Sequence, residues 1–376
     1  MRIGHNITTE EQRFLDAALR LARKHQGLTG TNPSVGCIIV KDLGNGPVII
    51  GSGVTAKGGR PHAEPPALEE AGALAKDATA YVTLEPCAHH GKTPPCAQTL
   101  IDAGIKRVIT ATVDPDNRVN GKGHQMLLDA DVDVVCVDGG ENAARVLQGY
   151  LRARTSERPF VTLKLAMSAD GLIGQKSAGN FPISRKAANW QTHLARARHD
   201  CILIGNGTAL ADDPMLTCRL PGMEDRSPVR IVLDVRGKLK PEHRLLATAT
   251  EYPTYVVAPN TVSQEWLSSV KKSGAIHFAC EIHNDRVALP ELLEDLSARG
   301  FQSVMIEGGA VLSQSLLEED LVDEIIVHVG LCLSEEEIPE DGVYASFTPS
   351  QLPDAFEICQ ELTFGNDKSL RLRKRN

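Results

Sequence analysis

The sequence predicts an α/β protein of two successive domains, and three observations carry that prediction. The chain has 376 residues, 42% of them hydrophobic, enough for two cores in domains of roughly 150–220 residues each. Short apolar runs recur along its whole length, separated by helix-length polar or amphipathic segments, the alternation of layered α/β architecture. The charged stretch LRARTSERP, residues 151–159, interrupts that alternation. It reads as a linker, giving domains at 1–150 and 160–376.

The elements follow in order. Thr8 and Glu11 form a capping box ahead of Phe14, Leu15, Ala18, Leu19 and Ala22, which recur at helical spacing. VGCIIV from Val35 and PVIIGSG from Pro47 read as paired strands. A helix begins near Glu64, because Pro65 and Pro66 are tolerated only in a first turn. Tyr81–Leu84 reads as a buried strand, and a second helix opens at Pro94–Pro95 and runs to Gly104. RVITATV from Arg107 and VDVVCV from Val132 are strands flanking a helix at His124–Asp129. Beyond 159, FVTLKLAMS, CILIGNGT, VRIVLD, TYVVA, SVMIEGG and DEIIVHVG read as apolar strands between helix-length segments. The chain contains no fixed-period repeat.

Composition excludes several classes. A net charge of −8 and 4% aromatic residues argue against a nucleic-acid footprint and a base-stacking platform. No apolar run of ~18–20 residues is present, so a membrane span is not expected. The amphipathic N-terminus lacks the features of a signal peptide. Nine scattered cysteines fit a reduced, cytoplasmic protein in which a close group serves a metal or catalysis.

Such a group stands in PHAEPPALEEAG (61–72) and LEPCAHHGKTPPCAQTLIDAG (84–104). His62, Cys87 and Cys96 are three zinc ligands, leaving the fourth tetrahedral position open as in a catalytic site. Water held there ionises near neutral pH. Glu64, two residues past His62, can reach that water and pass its proton to a leaving amine. His62–Glu64 and Cys96 fall at expected helix starts, where positive partial charge favours carboxylate and thiolate. His-x-Glu with Pro-Cys…Cys is the signature of zinc deaminases, although eight residues rather than two separate these cysteines. A structural zinc would take His89 or His90 as a fourth ligand.

In the second half no GxGxxG occurs. Instead Met305–Glu307 reads as a strand end, Gly308–Gly309 as a tight turn and Ala310 onward as a helix, a place where backbone amides can meet a phosphate. Gly205-Asn-Gly207-Thr208 is a second such turn.

At EPCAHHGKTPPCAQTLIDAGIKRVI the chain resembles the bifunctional deaminase/reductases of riboflavin biosynthesis. NPSVGCIIVKD, DPDNRVNGKG, LKLAMSADG, DCILIGNGTALADDPMLTCR, VRIVLD and IEGGAVL extend the resemblance over nearly the whole chain. It implies an N-terminal cytidine-deaminase-like three-layer domain and a C-terminal dihydrofolate-reductase-like domain. The first would bind one Zn2+ through His62, Cys87 and Cys96, with Glu64 as proton shuttle. The second would bind NADPH. Asn32, His89, Lys92 and Thr93 would contact the phosphoribosylaminopyrimidine substrate in the first site. Asn180, Arg196, Leu216, Arg219 and Glu307 would do so in the second, with the arginines on the phosphate. Ala166, Thr208, Asp212, Gly308, Gly309, Ala310 and Val311 would hold NADPH. Lys164 and Asp170 are weaker candidates. The family further implies a homo-oligomer formed through the reductase domain. Departures from the family pattern fall at Thr31, Thr55, Pro65–Pro66, Asn180 and Pro182. The last two leave open an alternative in which the reductase domain is degenerate and only binds substrate or a partner.

Overall fold

The computed structural model describes all residues except 1, 4–6, 92–93, 138–139, 176–182, 184, 284–285, 331–338, 340 and 376. It divides into two compact units, Met1–Glu157 and Arg158–Asn376.

In the first unit the elements run β1 (Arg2–Ile3), α1 (Thr9–Ala22), β2 (Gly36–Asp42), β3 (Pro47–Val54), α2 (Glu64–Ala71), β4 (Thr79–Val82), α3 (Cys96–Asp102), β5 (Arg107–Thr110), α4 (Lys122–Asp129), β6 (Asp133–Cys136) and α5 (Gly140–Ser156). Thr8 and Glu11 close the expected capping box at the start of α1. The strands form one sheet in the order β1-β6-β5-β4-β2-β3. The β2–β3 and β2–β4 pairs are antiparallel and the others parallel. Alternation on β2 separates two layers. Gly36 abuts α1, where a Cβ would lie 2.1 Å from the Ala18 carbonyl oxygen. Cys37 and Ile39 face the other side, toward α2. Leu15, Leu19, Ile39, Leu100, Ile109, Leu127 and Leu147 meet in the resulting core.

Two sequence expectations are corrected here. The two-residue strand β1, paired with Val135–Cys136, carries no periodic signal. Residues 151–156 are not a linker but the last turns of α5. This helix is amphipathic: Val146, Leu147 and Tyr150 enter the core, while Arg152 and Arg154 stay outside it, Arg154 with its Nε 3.7 Å from Asp116. The chain turns at Glu157, whose φ is +54°. Arg158 is already anchored to Asp323 at 2.7 Å.

The second unit runs β7 (Phe160–Met167), β8 (Leu172–Gln175), α6 (Lys186–Arg196), β9 (Cys201–Gly205), α7 (Asn206–Asp212), β10 (Val229–Leu233), α8 (Arg244–Ala247), β11 (Thr254–Ala258), α9 (Gln264–Lys272), β12 (Ile276–Ala279), β13 (Ile282–His283), β14 (Arg286–Val287), α10 (Leu289–Ala298), β15 (Ser303–Ile306), α11 (Ala310–Glu318), β16 (Glu324–Val329), β17 (Gly342–Tyr344), β18 (Phe356–Phe364) and β19 (Asp367–Lys374). Its main sheet has the order β12-β11-β10-β9-β15-β7-β16-β19-β18. It is parallel from β12 to β16, with β19 and β18 added antiparallel. The central strands are buried on both faces, which is why they read as unbroken apolar runs. On β9, Cys201 and Leu203 join one core while Ile202 and Ile204 join another. Among the described residues no helix is long and apolar enough to cross a membrane.

Candidate active sites

The first site is assembled by three helix or strand ends. Two glycines of β3 let α2 lie directly on the sheet: a Cβ at Gly53 would stand 2.0 Å from the Ala63 carbonyl oxygen, and one at Gly51 2.1 Å from that of Ala67. The first turn of α2, with Pro65 and Pro66 in it, is thereby pressed inward, and Glu64 is 3% exposed. Cys87 follows β4 on a loop, and Cys96 opens α3, its backbone N–H donating to Cys87 Sγ at 3.3 Å. His62 Nδ1 lies 3.7 Å from Cys87 Sγ and 3.4 Å from Cys96 Sγ.

The three ligand atoms lie within 4.8 Å of one another, and neither His89 nor His90 joins them. Two thiols and an imidazole nitrogen converging in this way fit tetrahedral zinc with one position free. The electrostatics agree. Hydrogen bonding from the Cys96 thiol, and then from His62, draws the Cys87 thiol well below its ordinary range. The same contact with Cys87 pushes Cys96 up, so the pair shares a proton and one thiolate forms readily. Burial, and then the charge of Cys87, raises the Glu64 carboxyl.

A cavity of about 300 Å³ surrounds this group. Asn32 and His89 line it, as expected, and so does Thr55. Thr55 Oγ1 accepts the Val35 N–H at 2.9 Å. Gly59, at φ +88°, packs against Asn32 so closely that a Cβ would stand 2.4 Å from its Nδ2. Lys92 and Thr93 lie outside the described residues. The cavity also has a wall that sequence reasoning missed. Tyr150 Oη donates to both oxygens of Asp114, at 2.8 and 3.1 Å. Asp116 receives Arg118 through Nε at 2.9 Å and Nη2 at 2.6 Å, with Arg154 Nε 3.7 Å away. The Arg118 contact holds the Asp116 carboxyl well below the usual range. The only signal was the DPDNRVNGKG motif, whose partners on α5 could not be foreseen.

The second site is a cavity of about 1190 Å³ in the second unit, at the carboxyl ends of β7, β9, β10 and β15, where open α/β sheets bind ligands. It gathers Ala166, Arg196, Thr208, Asp212, Leu216, Arg219, Glu307, Gly308, Gly309, Ala310 and Val311, together with Lys164. Asn180 lies outside the described residues. Asp170 is not in the lining; it accepts the Ser168 hydroxyl at 2.6 Å. The two expected glycine turns face each other, since a Cβ at Gly309 would meet Thr208 Oγ1 at 3.5 Å. Val311, at the start of α11, is 70% exposed on the cavity wall. An open trough this size, floored by small residues and ending on a helix start, fits a dinucleotide.

Arg196 is already engaged. Nε and Nη2 donate to the two oxygens of Glu307 at 2.6 and 2.7 Å, and Nη1 to the Thr217 carbonyl at 3.1 Å. Burial alone would raise the Glu307 carboxyl, but Arg196, with help from Lys164, brings it down to about 2. Lys164 lines the cavity half-buried, and burial lowers its ammonium pKa while Glu307 opposes the shift.

Comparison with known proteins assigns both units. Residues 8–112 match the family model described as the cytidine and deoxycytidylate deaminase zinc-binding region, and residues 159–331 the RibD C-terminal domain. The riboflavin biosynthesis protein RibD of Haemophilus influenzae is 39% identical over 331 residues, covering 84% of each chain. That of Escherichia coli is 36% identical over 85% of this chain and 87% of its own. The chain belongs to the RibD family. Acinetobacter baumannii RibD superposes with a TM-score of 0.81 at 35% identity, over 97% of this chain and 99% of that one. A Thermotoga maritima deaminase/reductase gives 0.81 at 28% identity, again over 97% and 99%. As a RibD-family protein this is a bifunctional enzyme of riboflavin biosynthesis acting on a small molecule, with a zinc-dependent deaminase unit of cytidine-deaminase type and an NADPH-dependent reductase unit. Both halves being present, the reading as a two-activity RibD holds over one with a degenerate second domain.

Proposed function

We propose that the first unit deaminates the diaminohydroxyphosphoribosylaminopyrimidine of the pathway and that the second reduces the ribose of the resulting 5-amino-6-(5-phosphoribosylamino)uracil to a ribityl chain. The Thermotoga maritima relative is a deaminase/reductase for these two compounds, which supports the pairing. The observation that carries the deaminase reading is Glu64: it is buried, and it lines one cavity with His62 and Cys87 without belonging to the ligand set that Cys96 completes. His62, Cys87 and Cys96 would hold zinc, which would supply an activated water. Glu64 takes the proton from the attacking water and delivers it to the ring amine, which leaves as ammonia. Asn32 and His89 contact the substrate, as Lys92 and Thr93 do in the family pattern.

In the second unit NADPH supplies the hydride. Ala166, Thr208, Asp212 and the Gly308–Val311 turn hold the dinucleotide. Leu216 and Arg219 face the substrate, as Asn180 does in the family pattern, and Arg219 takes its phosphate. Lys164, which Glu307 favours in its protonated form, donates a proton to the sugar ring oxygen as the ring opens. We place the enzyme in the cytoplasm, where the eight described cysteines remain without disulfides. We also infer self-association through the second unit, whose outer strand β18 exposes Ile358 and Leu362.

Glu64→Gln tests the reading. Gln keeps the shape and loses the proton transfer, so zinc content and fold should hold while deamination falls at least ~10²–10⁴-fold. Reduction of pre-deaminated substrate with NADPH should stay near the wild-type rate. Retained deamination removes Glu64 from the mechanism. Loss of both activities in a folded, zinc-loaded variant shows that the two sites are not independent.

A further inference from the structure

Arg230, the second residue of β10, is a charge with no exposed surface. Among the described residues no carboxylate pairs with it. Its guanidinium instead donates to six neutral contacts. Nε and Nη2 reach Thr254 Oγ1 at 3.0 and 2.6 Å, and Nη1 reaches Thr248 Oγ1 at 2.9 Å and the Met215 carbonyl at 3.3 Å. Nη2 also reaches the carbonyls of Leu245 and Tyr252 at 3.1 and 3.0 Å. A buried cation that forms no ion pair is costly, even with the charge of Glu251 acting on it, and an aliphatic side chain would fill a central parallel strand at less expense. What arginine adds is a fixed grip on three chain segments at once, one of which is the wall of the reductase cavity.

That wall, Asp213 to Arg219, has an unusual backbone. Leu216, next to Met215, has a φ of +55°, in the left-handed region that a leucine adopts only when its surroundings impose it. The wall is held on the cavity side by Arg196 Nη1 on the Thr217 carbonyl. The Cys218 N–H donates to Ser227 Oγ at 3.1 Å. Beneath the wall, the Met215 carbonyl is held by Arg230.

We propose that Arg230 is a positioning residue for reduction. By holding the Met215 carbonyl from below, it keeps Leu216 left-handed and sets Arg219 toward the phosphate of the substrate. The inference rests on the reading above that Arg219 meets that phosphate. It also separates the two halves of the cavity, because the Gly308–Gly309 turn has no contact with Arg230. Loss of Arg230 therefore disturbs substrate and not cofactor.

The test uses Arg230→Gln in the full-length enzyme. KM for 5-amino-6-(5-phosphoribosylamino)uracil should rise about tenfold or more, the worth of a lost charge-assisted contact. NADPH affinity, read by fluorescence titration, should stay within about twofold, and deamination should not change. Hydrogen exchange at the Leu216–Arg219 amides should quicken while that of α11 does not. If Arg230→Gln does not fold, Thr248→Val removes one acceptor of the same guanidinium, and it should give the same pattern at smaller amplitude. A parallel loss of NADPH affinity, or an unchanged KM with unchanged exchange at 216–219, overturns the proposal. If the unmodified enzyme fails to reduce the uracil compound, it is the substrate reading that falls, and the exchange measurement still decides the role of Arg230.

Discussion

Arg196 and Glu307 meet side-on, two nitrogens against two oxygens at 2.6 and 2.7 Å, and the third nitrogen of Arg196 holds the Thr217 carbonyl. One guanidinium thus joins the substrate wall to the strand end that leads into the dinucleotide turn. A lysine cannot span these three acceptors. Arg196→Lys should therefore weaken substrate and NADPH binding together, which separate titrations of the two would detect.

The same pair sets a pH dependence. The Glu307 carboxyl sits at about 2 in the folded chain, against about 4.3 in an unfolded one. Because the folded value is depressed, its stabilisation is complete above about pH 4.3 and is lost as pH falls toward 2. Glu307→Gln should flatten that part of the acid-unfolding profile. At neutral pH it should cost about 3 kcal/mol, since Arg196 is left largely buried without its charge partner. Denaturant unfolding across the pH range checks both outcomes.

With Arg196 committed to Glu307 and Thr217, the proposed reading gives the substrate phosphate to Arg219. Arg219→Ala should raise the KM of reduction by the worth of one charge-assisted phosphate contact, about 1.5–3 kcal/mol, and should leave NADPH affinity near its original value. A collapse of cofactor binding with substrate binding intact would reverse the assignment of the two ends of the cavity.

Purified protein should carry about one zinc per chain, by the three-ligand argument. Cys87→Ser and Cys96→Ser should each lose the metal and lower the thermal stability of the first unit, since binding energy is folding energy in such sites. Metal analysis of both variants decides it, and full occupancy in both would contradict the ligand set.

His328, on β16, is 1% exposed, and neither ring nitrogen has a hydrogen-bond partner among the described residues. Burial, and then Lys164, pull its pKa down to about 3. An unfolded chain takes up that proton near pH 6.5 and the folded chain does not, so stability falls as pH drops from about 6.5 to 3. His328→Leu should remove this slope and should not destabilise the protein at pH 7. A steeper acid limb in the variant would show that the ring is paired and charged in the folded state.

The zinc site was legible because its ligands sit in short local motifs: His62–Glu64 and Cys96 stand at helix starts that proline marks in the sequence, and Cys87 follows Pro86 on the loop after β4. The two glycine turns were legible for the same reason. What stayed hidden depends on distant pairings. Tyr150 meets Asp114 across 36 positions, and nothing in the charged tail of α5 distinguishes a solvent-facing helix from a linker. The resemblance placed Arg196 in the second site, but only the packing reveals that its donors are spent on Glu307 and Thr217. Arg230 read as one polar residue in an apolar strand, with no sign that it reaches three segments.

The course of α5 sets where this gene can be divided. Tyr150 and Arg154 belong to the wall of the deaminase cavity, and Arg158 is the first residue clamped into the other unit. A split after residue 150 would amputate the helix end that carries Arg154, whereas a split between Glu157 and Arg158 follows the boundary between the two compact units. Any insertion meant to separate the two catalysts, or any fusion that borrows one of them, has that single peptide bond as its natural seam.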